Sequence, residues 1–160
     1  MPVIAIKEIK ALLPKKSRLL GIDQGEKTLG LALSNPELTM ATPLKTLKRT
    51  KFKQDIVEMA KICIEYNVLG FVIGLPLNMD GSEGPRVQSV KHFSDNLLNA
   101  KNILGFDPLI AFFDERLSTY AAEQLLIDDL GMSRDKRKAV IDAAAAACIL
   151  QGALDSLKRT

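Results

Sequence analysis

Four acidic positions in this chain are spaced so that they can work together. Asp23 closes the apolar run Arg18-Leu19-Leu20-Gly21-Ile22, Asp114 and Glu115 close the run Leu109-Ile110-Ala111-Phe112-Phe113, and Asp142 sits in Ile141-Asp142-Ala143-Ala144-Ala145. Short continuous apolar runs read as strands buried between helices, and open α/β sheets collect ligands where parallel strands end. A third such run, Leu69 to Gly74, ends at the same expected edge. Asp142, placed near the start of the last expected helix and one position off its apolar stripe, would gain from the helix dipole and can point there too. Gathered carboxylates repel one another unless a cation neutralises them. Their hard oxygens suit Mg²⁺ or Mn²⁺, which keep several waters and accept phosphate oxygens. The matching reaction is phosphodiester hydrolysis without a side-chain nucleophile, in which two ions about 4 Å apart ready the attacking water and stabilise the leaving oxygen. Taken singly, each of these acids reads more readily as a turn or cap residue.

A second group of residues can hold phosphate. Gly81, Gly84 and Pro85 bend the backbone after Gly74, while Asn78, Ser82 and the N–H groups ahead of the following helix offer donors. The connection is long for a strand-to-helix link, which favours a functional loop. Arg86 adds charge, Arg116 can clamp a phosphate or pair with Asp114, and Lys27 lies on the first hairpin. His92 is the only histidine and neighbours Phe93, so it reads as a surface or boundary residue and not a general base. Phe52, Tyr66 and Tyr120 are the aromatics open to base stacking; with 5% aromatics, recognition should rest on backbone charge and shape.

The elements that must position these residues follow from periodicity. Arg18 to Asp23 and Leu29 to Leu33 flank a turn at Gln24-Gly25, and a third strand runs from Met40 to Thr46. Phe52, Ile56, Met59, Ala60 and Cys63 then mark a helix through Tyr66, and Val87, Val90, Phe93 and Leu97 mark another. Ser118 or Thr119 caps a helix through Leu126, and Val140, Ile141, Ala144, Ala145, Cys148 and Ile149 mark the last. The order βββαβαβαα predicts an α/β fold with a five-stranded mixed β-sheet and helices on both faces.

The chain has 160 residues, 47% hydrophobic and 26% charged, which suits one domain over 17–160 preceded by a short extension at 1–16. Two-lobed enzymes, including sugar-kinase-like and actin-like ATPases, do not fit that length. No apolar run approaches the roughly 20 residues of a membrane helix, and the expectation is a cytoplasmic protein without membrane contact. Cys63 and Cys148 stand far apart and read as buried thiols. The net charge of +3 conceals three basic stretches, residues 1–20, 45–53 and 134–138, beside an acidic remainder. That pattern suits a polyanion held near a carboxylate site. The third stretch, Arg134 to Lys138, would flank Asp142.

Four motifs in order resemble the YqgF (RuvX) family along nearly the whole chain: Gly21-Ile22-Asp23-Gln24-Gly25-Glu26-Lys27-Thr28-Leu29-Gly30-Leu31-Ala32, Gly74-Leu75-Pro76-Leu77-Asn78-Met79-Asp80-Gly81-Ser82-Glu83-Gly84-Pro85, Asp114-Glu115-Arg116-Leu117-Ser118-Thr119 and Ile141-Asp142-Ala143-Ala144-Ala145. The resemblance implies an RNase H-like fold with its acidic triad on Asp23, Glu115 and Asp142, which serve as catalytic and metal-binding residues. It further implies a pre-16S rRNA nuclease, with an older label of Holliday-junction resolvase. Lys27, Asn78, Ser82, Arg86, Arg116, Ser118 and Thr119 are then the candidate substrate contacts. Thr28 departs from the commoner motif, which has arginine there, and so puts in doubt a phosphate contact carried by that side chain.

Three functions remain to be weighed: a nuclease maturing pre-rRNA on the small-subunit precursor, a resolvase of branched DNA, and a non-catalytic nucleic-acid-binding factor in transcription. Resolvases cut paired strands and act as dimers, whereas the sequence leaves monomer and homodimer both open. In a mere binder, the repulsion among three acids would be a cost without return.

Overall fold

The computed structural model describes residues 3–117 and 134–158, with side chains of the last helix described from Val140 onward. Elements run α1 (Ile6–Leu12), β1 (Arg18–Gln24), β2 (Thr28–Ser34), β3 (Ala41–Lys48), α2 (Phe52–Tyr66), β4 (Val68–Leu75), α3 (Pro85–Asn99), α4 (Lys101–Leu104), β5 (Leu109–Asp114), a 3₁₀ turn (Glu115–Leu117) and α5 (Arg134–Leu157). The expected helix through Leu126, with Ser118, Thr119 and Tyr120, lies outside the described residues.

The five strands form one mixed sheet in the order β3-β2-β1-β4-β5. β1, β2 and β3 pair antiparallel as a meander, while β1–β4 and β4–β5 pair parallel. This is the five-stranded mixed sheet expected from the alternation of elements, and helices cover both of its faces. Side chains alternate along each strand, so the large residues Leu20, Ile22, Leu29, Leu31, Phe71, Ile73 and Ile110 pack with α2 and α3 in one core. Leu19, Ala32, Val72 and Ala111 face the other way, against Ile9 of α1 and Ala146, Ile149, Leu150, Ala153 and Leu154 of α5. The alanines of that second face, Ala32, Ala111, Ala146 and Ala153, together with Gly30, let α5 approach the sheet closely.

Local chemistry sets the helix ends. Asp55 accepts hydrogen bonds from the Thr50 N–H (3.1 Å) and hydroxyl (2.9 Å), closing the start of α2, which stops where Asn67 turns left-handed (φ 56). Pro85 occupies the first turn of α3, where its missing N–H costs nothing. The segment before Pro14 is held to the body: Ile9 is fully buried and the Ile4 N–H donates to the Ile110 carbonyl at 2.9 Å.

Two expectations need correction. Val140–Leu157 is an 18-residue stretch with mean hydropathy 1.5, so an apolar run near membrane-spanning length does exist. Its apolarity is used in the core, where Ala146, Ala153 and Leu154 are fully buried. Phe52 and Tyr66 are not open stacking platforms: both are half-buried against the first core, and Phe52 meets Phe93 edge-on at 6.0 Å. Cys63 and Cys148 are buried thiols outside any disulfide, as expected, and burial pushes the Cys63 thiol up to about 12.

Candidate active site

The register brings five chain segments to one edge of the sheet. β1 ends there at Asp23-Gln24, β2 begins there opposite them, β3 ends at Lys48 opposite Thr28, and β4 and β5 end together with Leu75 beside Asp114. The tight turn between β1 and β2 is closed by the Gly25 N–H donating to the Thr28 carbonyl at 2.9 Å. Alternation along β1 turns Asp23 to the face covered by α5, while its neighbour Gln24 points to the opposite face and donates to the Ser89 hydroxyl of α3 at 3.3 Å.

Glycines make room for the other two acids. A methyl group at Gly30, the partner of Asp23 on β2, would run into the Asp142 carbonyl, so α5 crosses the sheet there at near-backbone contact. A methyl group at Gly74 would lie 2.5 Å from Glu115 Oε1, which shows the glutamate folded back over the end of β4. Asp142 lies two turns inside α5, which begins at Arg134, so the dipole argument for it fails: that effect is confined to the first turn. Its carboxylate is held instead by Thr28, whose hydroxyl donates to Oδ2 at 2.8 Å.

The electrostatics follow from this crowding. Asp23 and Glu115 are hydrogen-bonded to each other. Burial first, and then the charge of Asp23, push Glu115 up to about 7, so near neutrality it donates its proton to Asp23. Asp23 is also raised, chiefly by burial and then by the charge of Asp142. Arg86, exposed at the start of α3, pulls both acids back toward ionisation. Among the described residues, no three His, Cys, Asp or Glu side chains close into a ready set of ligands for one ion. What the structure assembles is a coupled Asp23–Glu115 pair, with Asp142 acting on Asp23 through space. That donor set is all carboxylate oxygen, with a crowding of negative charge that Arg86 offsets only in part, which fits a hard divalent cation.

The candidate substrate contacts divide. Asn78 and Ser82 hydrogen-bond each other at 3.0 Å inside the loop after β4, where Gly81 takes φ +88 and Asp80 accepts from the Ser82 hydroxyl at 2.6 Å. That hydroxyl is the main reason Asp80 stays below the ordinary carboxylate range. Arg116 pairs with Asp114, Nη2 to Oδ2 at 2.6 Å, and its Nη1 donates to the Met79 carbonyl at 3.2 Å, tying the turn after β5 to this loop. Lys27 and Arg86 are exposed at the edge, and His92 is exposed along α3. Ser118 and Thr119 lie outside the described residues.

The RuvX family pattern, described as Holliday junction resolvase, matches residues 17–156. The chain belongs to the RuvX family. A RuvX relative from Rhodospirillum centenum is 52% identical over 159 residues, covering 99% of this chain and 84% of the relative. One from Bradyrhizobium diazoefficiens is 50% identical over 144 residues, covering 90% and 86%. Both bear the name "Putative pre-16S rRNA nuclease". Among solved structures, T. thermophilus RuvC in complex with a Holliday junction substrate matches with a TM-score of 0.51 at 14% identity, covering 88% of this chain and 94% of that one. The RuvX chain therefore has the RNase H-like fold.

Sequence reading did not find two contributors to this RuvX site. Thr28 stood out only as a departure from the commoner motif, although it is the residue that touches Asp142. Arg49 was one charge within a basic stretch, yet its Nη1 donates to the Gly25 carbonyl at 2.6 Å and its guanidinium lies 5.7 Å from the Phe93 ring centre. The usable signal was register, since a strand that ends opposite Thr28 must bring its last residues beside the first hairpin.

Proposed function

We propose that this chain is a metal-dependent nuclease that hydrolyses phosphodiester bonds, with Asp23, Glu115 and Asp142 as its catalytic and metal-binding residues. Its preferred substrate is pre-16S rRNA at the 5′ end, on the small-subunit precursor in the cytoplasm, and residues 17–160 form the nuclease domain. The observation that carries this reading is the half-buried, hydrogen-bonded Asp23–Glu115 pair at the sheet edge, with Asp142 adding to its charge. The names borne by relatives of about half identical sequence support the choice of RNA.

Asp23, Glu115 and Asp142 would hold Mg²⁺ or Mn²⁺, which when bound supplies Lewis acidity toward a phosphoryl oxygen and acidifies water. Glu115 must release its shared proton for the pair to present full charge. Arg86, already favouring the ionised pair, is placed to meet a phosphate oxygen of the bound strand. Thr28 fixes the rotamer of Asp142, while the clamp of Arg116 on Asp114 and Met79 steadies the loop bearing Asn78 and Ser82.

The test offers pre-16S 5′-leader RNA and a four-way DNA junction, with Mg²⁺ or Mn²⁺, to wild type and Asp23→Asn. RNA cleavage that disappears in a folded Asp23→Asn is the expected result. Cutting of the junction alone would transfer the proposal to the resolvase reading, and an active Asp23→Asn would end the assignment of the acids.

A further inference from the structure

The first two basic stretches of the sequence lie at opposite ends of the sheet. Residues 1–20 carry Lys10, Lys15 and Lys16 ahead of Arg18, where β1 begins, so they lie at the sheet end opposite Asp23. The stretch 45–53 goes the other way. β3 ends at Lys48, directly opposite Thr28, and residues that face each other across an antiparallel pair project to the same side of the sheet. Lys48 therefore stands on the face that carries Thr28, Asp142 and Asp23. The chain then turns through Arg49, Thr50, Lys51 and Lys53 into α2, joined to the first hairpin by the Arg49 N–H donating to the Lys27 carbonyl at 2.8 Å.

Within this edge the basic groups have distinct tasks. Arg49 is anchored, with its guanidinium on the Gly25 carbonyl and beside Phe93, and it fixes the β3–α2 junction to the turn that follows Asp23. Lys27, Lys48, Lys51 and Lys53 are exposed, and none of them forms a salt bridge among the described residues. The acid within α2's first turn, Asp55, is buried and occupied by Thr50, which leaves Glu26 as the exposed carboxylate on this stretch of the edge. β1 and β3 are two strand spacings apart, about 10 Å. That distance puts Lys48 within a few nucleotides of a phosphodiester bond held at Asp23.

We propose that Lys27, Lys48, Lys51 and Lys53 form a track for the sugar-phosphate backbone of a single RNA strand, leading it from the β3 side of the sheet edge to the carboxylates. This inference rests on the nuclease reading and adds to it the direction from which the strand approaches. Lys27 and Lys48 lie within two strand spacings of Asp23, a reach that suits neighbouring phosphates of one strand, and Lys51 and Lys53 continue the charge around the edge toward α2. Its lysines are point charges on flexible stems and read no bases, so binding through them is strongly salt-dependent and tolerant of sequence.

The experiment measures binding of a labelled single-stranded RNA and of a four-way DNA junction in EDTA, where neither is consumed, across a salt series. Compared are wild type, the triple variant Lys48→Gln/Lys51→Gln/Lys53→Gln and the distal triple variant Lys10→Gln/Lys15→Gln/Lys16→Gln. The track predicts an RNA Kd raised about tenfold or more in the first variant, with the slope of log K against log salt reduced by about 2, from roughly 0.7 per phosphate contact on a single strand. The distal variant should bind as wild type does, and both should melt where wild type melts because all six lysines are exposed. Unchanged RNA binding in the first variant, or equal losses in both, would overturn the track while leaving the nuclease reading intact. A loss confined to the junction would overturn it in favour of branched DNA. Wild type that binds neither probe would defeat the nuclease reading and the track together.

Discussion

The Thr28 hydroxyl donates a hydrogen bond to Asp142 Oδ2 at 2.8 Å, across 114 residues of sequence. It links the first residue of β2 to the third acid of the site and holds that half-buried carboxylate in place. Arginine, commoner at this position in the family motif, would meet Asp142 with a charge. Threonine leaves the negative charge of the site whole.

Thr28→Val keeps the shape of the side chain and removes the donor. A hydrogen bond to a charged group contributes about 1.5–3 kcal/mol. The variant should therefore lose about tenfold or more in kcat, with little change in KM for the nucleic acid and only a small change in melting temperature. Thr28→Ser restores the hydroxyl and should recover most of the rate. Thermal shifts induced by Mn²⁺ provide a readout free of turnover: smaller in Thr28→Val than in wild type, and restored in Thr28→Ser. Equal kcat and equal Mn²⁺ shifts in wild type and Thr28→Val would remove the positioning role.

How much of this could be read beforehand depended on whether the signal was local. α2 runs from Phe52 to Tyr66, the span marked by its apolar stripe, because Ile56, Met59 and Cys63 recur at helical spacing on one face. The cores of β1, β4 and β5 were equally plain, since each is a short apolar run between turn residues, whereas β3 mixes polar and apolar residues. The start of α5 was hidden, because Arg134 to Lys138 is charged and carries no apolar period. The apolar stripe therefore puts Asp142 near a helix start, whereas it lies two turns inside α5. The contact of Thr28 with Asp142 and the stance of Lys48 beside them depend on pairing between distant segments, and no local pattern encodes that.

Gly30 is where α5 and the sheet touch. Gly30→Ala would drive a methyl group into the Asp142 carbonyl, and neither backbone can yield cheaply. Overpacking of this kind costs about 1–3 kcal/mol. The melting temperature should drop by several degrees, and cleavage under conditions where the variant stays folded should drop further, because relief comes by lifting Asp142 off β2. A variant as stable and as active as wild type would show that α5 does not cross β2 at this contact.

Glu115 gives the metal-free protein a pH dependence opposite to that of ordinary carboxylates. The folded chain holds its proton up to about 7, against 4.5 for an unperturbed glutamate. Between those values the folded state binds the extra proton. Its contribution to stability is complete below the unfolded value and is lost as pH rises through about 7. Asp23 is shifted in the same direction, by burial and by Asp142, and reinforces the trend. In EDTA, the melting temperature should therefore fall as the buffer is raised through neutrality. Glu115→Gln should flatten that fall, because its amide still donates to Asp23 but has no proton to lose. Mg²⁺ or Mn²⁺ should flatten it in wild type for a different reason: a cation favours the ionised pair and expels the shared proton, so its affinity rises with pH as the repulsion is relieved. Melting curves over a pH series, with and without metal, separate the two effects, and a fall of full size in Glu115→Gln would place the titration on another group.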